Sequence, residues 1–106
     1  MDFMGMMKKA QAMQAKLQEA QDELARVEVQ GASGGGMVSV TMTAKGDLKG
    51  VAIDPSLLTP ADKEMVEDLI IAAFADAKAK AERVAADKMQ ELTAGLPLPP
   101  GMKLPF

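Results

Sequence analysis

QGASGGGMVSV, residues 30–40, sets four glycines and Ser33 ahead of a run in which valines alternate with polar residues. A glycine loop of this kind either wraps a phosphate or turns the chain so that two strands meet. A phosphate loop of the P-loop type ends in Gly-Lys-Ser/Thr and opens a helix, because the lysine and the helix N-terminus supply the positive charge. Here Gly36 is followed by Met37 and then by Val38, Val40, Met42 and Ala44 alternating with Ser39, Thr41, Thr43 and Lys45. That period of two is a strand. The dinucleotide fingerprint fails for the same reason, since no helix starts here. The glycines therefore form a hairpin connection, with freedom for positive φ and for close approach of chains.

Upstream of the loop, Val27 and Val29 alternate with Glu28 and Gln30, which reads as a strand partner. Downstream, AKGDLK supplies a tight turn with Gly46 suited to positive φ, and Val51 and Ile53 complete a third strand before Asp54-Pro55. The result is a three-stranded antiparallel meander with one apolar face that needs covering.

Two helices are available to cover it. From Phe3 the apolar positions run Phe3, Met6, Ala10, Met13, Leu17, Ala20, Leu24 and Val27, a heptad seam that calls for a helical partner. Asp2 is placed to cap its start, and Gly5 is expected to let the first turn fray. After the sheet, Thr59 is the expected cap of a second helix with Pro60 at its first position, running from Ala61 to about Thr93 and ending at Gly95. About 33 residues at 1.5 Å each is roughly 50 Å. A single small domain cannot bury that length, so part of the helix projects or packs on another subunit. Ile70 and Phe74 lie on its apolar side, beside a run of alanines that permits close helix contact.

The 106 residues make one domain, divided as a core of 1–95 and a proline-rich apolar tail, 96–106, whose Leu96, Leu98, Leu104 and Phe106 are expected to dock as an extended strip. Ten methionines, no tryptophan and no tyrosine make a thin core, which points to completion by a partner subunit. The absence of cysteine and histidine removes thiol and imidazole chemistry and the usual zinc ligands. No cofactor, metal or catalytic residue is expected, so the chain reads as a non-enzyme. There is no signal-peptide pattern and no apolar run long enough for a bilayer, so a cytoplasmic protein without a membrane partner is expected.

A net charge of −3 argues against nucleic acid on bulk charge, but the distribution is uneven. Lys8, Lys9 and Lys16 dominate the first half of the first helix, while Lys78, Lys80, Arg83 and Lys88 punctuate the second. Either set suits a phosphate backbone or simple solvation.

MKKAQAMQAKLQEAQDEL, the segment GASGGGMVSVTMTAKGDLKGVAIDPSLL, the helix opening DKEMVEDLIIAAFADAKAKA and the closing LPPGMKLPF together resemble the YbaB/EbfC family of bacterial nucleoid-associated proteins. The resemblance spans nearly the whole chain. It implies an α/β (α+β) fold and an intertwined homodimer with projecting paired helices. It also implies binding to double-stranded DNA at the nucleoid, with effects on nucleoid organisation and gene expression. The family's DNA-contacting surface is placed on the helices, and the matching basic positions are Lys8, Lys9, Lys16, Lys78, Lys80, Arg83 and Lys88. Core or dimerisation positions are Met6, Met13, Leu17, Leu24, Val38, Val40, Ile53, Ile70 and Phe74. A second class stays open: a protein–protein module holding recombination or replication partners, with incidental DNA binding.

Overall fold

The computed structural model describes residues 2–93. The chain runs through helix α1 (Phe3–Arg26), strands β1 (Glu28–Ser33), β2 (Val38–Thr43) and β3 (Leu48–Ile53), and helix α2 (Lys63–Thr93). The strands form one antiparallel sheet in the order β1-β2-β3. The expected α+β architecture and meander are both present. The tail and its docking residues Leu96, Leu98, Leu104 and Phe106, like the expected helix end at Gly95, lie outside the described residues.

α1 starts at Asp2, whose carboxylate accepts from the Gly5 amide at 3.1 Å. Gly5 was expected to loosen this turn. Instead, it is the cap's donor, and a Cβ there would crowd the Asp2 carboxylate. α2 begins two residues later than the sequence suggests. Pro60–Asp62 forms a short 3-10 turn, and the Thr59 hydroxyl donates to the Asp62 carboxylate at 3.0 Å instead of capping a backbone amide.

β1 runs further into the glycine stretch than its alternation indicates, through Gly31 to Ser33. Gly31 lies under α2, where a Cβ would overlap the Ala73 carbonyl oxygen and the Ala77 amide nitrogen. The other three glycines, Gly34, Gly35 and Gly36, carry the turn at positive φ.

α2 crosses β1 and β2, and its fully buried Ala73 and Ala77, with Ala81, meet Val38, Val40 and Met42 in the main core. A second, smaller core joins Ala20 and Leu24 of α1 to Ala44 and Met89, with Leu17, Val84, Ala85 and Leu92 around it. The heptad seam is thus covered by the end of α2 only over its last third. α1 continues about 20 Å beyond, at 1.5 Å per residue, leaving Phe3, Met4, Met6 and Met7 exposed. The chain measures 71 × 27 × 16 Å, with a radius of gyration of 19.6 Å. A compact chain of this length has about 13 Å.

The apolar face of the sheet is also incompletely covered. Val38 pairs with Ile53, Val40 with Val51, and Met42 with Leu48 across a bulge that leaves Lys49 unpaired. Cross-strand partners share a face, so Leu48, Val51 and Ile53 all belong to the core side. α2 packs chiefly on β1 and β2, however, and Leu48 and Val51 are 54% and 45% exposed. Phe74 on the neighbouring flank of α2 is 39% exposed.

Candidate nucleic-acid interface

The seven basic candidates fall into two groups according to what their side chains touch. Lys80 donates to the Gln30 carbonyl at 2.8 Å and pairs with Asp76 at 3.3 Å. Asp76 in turn accepts from the Ala32 amide at 3.0 Å. Gln30 and Ala32 point their backbone groups away from β2, so these two side chains satisfy one acceptor and one donor on the outer edge of β1. The Ala32 N–H, followed by Lys80, holds the Asp76 carboxyl below its ordinary value.

Lys88 is likewise committed. It forms an ion pair with Glu23, tying α1 to α2 beside the second core. The contact lowers the Glu23 pKa and raises that of Lys88, despite the desolvation that opposes the latter. These are the only two ion pairs among the described residues. Lys8, Lys9, Lys16, Lys78 and Arg83 are exposed and form none.

The second-helix cluster is not one patch. At about 100° per residue, Lys78 and Lys80 point roughly 200° apart, and Lys80 and Arg83 about 60°. Lys80 and Arg83 thus lie toward the β1 edge, while Lys78 lies on the opposite flank. There it lines a cleft with Ala44, Lys45, Gly46, Ala81, Glu82 and Ala85. On α1, Lys9 and Lys16 fall about 20° apart and share a stripe, with Lys8 turned away by about 100°. All three stand on the part of α1 that extends beyond the end of α2. The exposed carboxylates Glu64, Glu67 and Asp68 cluster at the other end of the molecule, on the first turns of α2.

Lys45, the last polar residue of the alternation after Met37, stands exposed at the turn between β2 and β3 and lines the cleft with Lys78. Its signal in the sequence is its place beside Gly46, at a turn whose inner residue must be buried.

The apolar candidates divide in the same manner. Leu24, Val38 and Val40 are buried, Met13, Leu17, Ile53 and Ile70 half-buried, and Met6 and Phe74 exposed. No described helix is long and apolar enough to cross a membrane. No group of acidic residues among those described is placed to hold a metal ion.

The chain is similar over 99% of its length to a nucleoid-associated protein of Methylocella silvestris, with 59% identity and 98% of that protein covered. Nucleoid-associated proteins of Rhizobium meliloti and Brucella ovis are each 57% identical over the same shares. The fold is similar to the crystal structure of an uncharacterized protein from Helicobacter pylori. The TM-score is 0.77 at 27% identity, covering 87% of this chain and 97% of that one. Residues 1–96 match the YbaB/EbfC DNA-binding family as a whole, from α1 through the end of α2. The chain belongs to the YbaB/EbfC DNA-binding family.

Proposed function

We propose that this protein is a homodimeric, nucleoid-associated binder of double-stranded DNA, acting through phosphate contacts from basic side chains on its helices. As a member of a DNA-binding family it is a binding protein and not an enzyme. The observation that carries the mechanism is the projecting part of α1, where Lys8, Lys9 and Lys16 stand exposed and without an ion-pair partner among the described residues. Such an arm approaches a duplex without bringing the acidic start of α2 against it.

Lys78 and Arg83 supply further contacts. Lys80 and Lys88 serve first as structural ties, so their loss would weaken binding through the fold. Little direct base readout is expected, because long, mobile lysines engage phosphates as point charges. Dimer formation follows from the uncovered apolar surface on β3, on Phe74 and at the start of α1. A twofold axis then doubles each weak patch.

The test is fluorescence anisotropy of a labelled duplex titrated with the protein at several salt concentrations. A Lys8, Lys9, Lys16 charge-reversal variant, with its helicity and mass in solution checked, runs beside it. Saturable binding that weakens with salt and disappears in the folded variant supports the reading. Equal binding by the variant removes α1 from the interface. No wild-type binding near 50 mM salt, a concentration at which phosphate contacts are strong, rejects DNA as the ligand.

A further inference from the structure

Between the β2–β3 turn and α2 the fold brings together two lysines that are 33 positions apart in sequence, Lys45 and Lys78. We propose that they form a phosphate-gripping pair, a DNA contact on the body of the protein separate from the α1 arm. This inference rests on the DNA-binding reading above.

The turn that carries Lys45 is held from several directions. The Thr43 amide donates to the Asp47 carbonyl at 2.8 Å, and the Gly46 amide donates to the Thr43 carbonyl at 2.9 Å. The Asp47 amide donates to the Thr43 hydroxyl at 3.1 Å. Thr43 itself is 1% exposed, and Gly46 reverses the chain at φ 105°. Ala44, 4% exposed, is pinned by its amide to the Val27 carbonyl at 2.8 Å and packs in the second core. The backbone of Lys45 is therefore fixed between a buried residue and a glycine that turns the chain at positive φ, while its side chain remains exposed. Small residues opposite, Ala81 and Ala85, let the turn sit close to α2, so Lys45 and Lys78 line opposite walls of one cleft.

Two ammonium groups beside one cleft repel each other, a cost that a phosphate oxygen placed between them would turn into attraction. Glu82 also lines the cleft and makes no ion pair with either lysine among the described residues. Its charge offsets part of the lysines' repulsion in the free protein and opposes the approach of a phosphate.

The experiment measures duplex affinity against salt for the wild-type dimer and for Lys45→Gln, Lys45→Arg and Glu82→Gln. Each phosphate contact adds about 0.9 to the slope of log affinity against log salt. Between about 50 and 200 mM salt the wild type should therefore lose roughly 3.5-fold more affinity than Lys45→Gln for each contact removed. Lys45→Arg should keep the wild-type slope, and Glu82→Gln should raise affinity at low salt. Wild-type binding with an unchanged slope in Lys45→Gln overturns the pair and leaves the α1 arm standing. Equal affinity of Glu82→Gln and the wild type does the same, without depending on a lysine variant. Absence of wild-type binding overturns the DNA reading itself and this inference with it.

Discussion

Gly31→Ala adds one methyl group where the fold has no room for it. The Cβ would overlap the Ala73 carbonyl oxygen and the Ala77 amide, and would sit 2.8 Å from the Ala77 Cα. Carbon atoms pack at about 3.5–4.0 Å, so α2 has to retreat from β1 by roughly 1 Å. The obstructing atoms belong to helix backbone, not to the end of a flexible side chain, which puts the cost at the upper end of overpacking, about 3 kcal/mol. Retreat also stretches the hydrogen bond from the Ser33 hydroxyl to the Leu69 carbonyl, now 2.5 Å, worth about 1 kcal/mol. A loss of roughly 3–4 kcal/mol is a large share of the stability of a small domain. Urea denaturation at one fixed protomer concentration measures it, with the slope of the transition compared between variant and wild type. Gly50→Ala is the control, because a Cβ there meets no heavy atom within 4 Å. A Gly31→Ala protein within about 0.5 kcal/mol of wild type, with the same slope, would refute the close crossing.

Acid should loosen two ties of α2, the one from Asp76 to β1 and the one from Lys88 to Glu23 of α1. The Asp76 and Glu23 carboxyls sit below their ordinary values of 3.8 and 4.5. The unfolded chain therefore binds more protons in this range, and stability rises with pH. The contribution of both groups is complete above the ordinary values and is lost as pH falls through the lowered folded values. Asp76→Asn should flatten that acid limb in urea midpoints measured across the acid range, and an unchanged limb would assign it to other carboxylates. Val51→Asp places a charge on the uncovered face of β3, at a side chain 45% exposed although its cross-strand neighbour Val40 is buried. Sedimentation should show it shifted toward monomer with its helicity retained, whereas a full dimer would place the subunit contact elsewhere.

What the sequence made legible is what short-range chemistry controls. A period of two after Met37, glycines where φ must be positive and a heptad seam are written in neighbouring residues. From them the meander and both helices follow. The extent of cover over each apolar face is not written locally. Val40 and Val51 are similar side chains in similar alternation and face each other across the ladder, yet one is 1% and the other 45% exposed. The difference is the path of α2, which is drawn over β1 because Gly31 lets the helix backbone sit directly on the strand. One missing Cβ thus helps decide which half of the sheet remains available to a partner.

The basic residues show the same limit more sharply. Lys78, Lys80, Arg83 and Lys88 look like one cluster in a linear reading, yet their neighbours come from far away. Lys80 is held by Gln30, 50 residues upstream, and Lys88 by Glu23. Each tie removes a cation from the pool that a phosphate can recruit without cost to the fold. The remaining cations are separated, with Arg83 toward the β1 edge and Lys78 across the helix beside Lys45. A protein of net charge −3 can still present positive potential locally if its free lysines are carried away from its carboxylates. α1 does this by projecting Lys8, Lys9 and Lys16, and the rigid turn at Thr43–Asp47 does it on a smaller scale by holding Lys45 opposite Lys78. Screening over about 8 Å at physiological salt makes such local segregation matter more than the sum of charges. The acidic first turns of α2 therefore need not prevent binding, provided the duplex meets the arm and the turn.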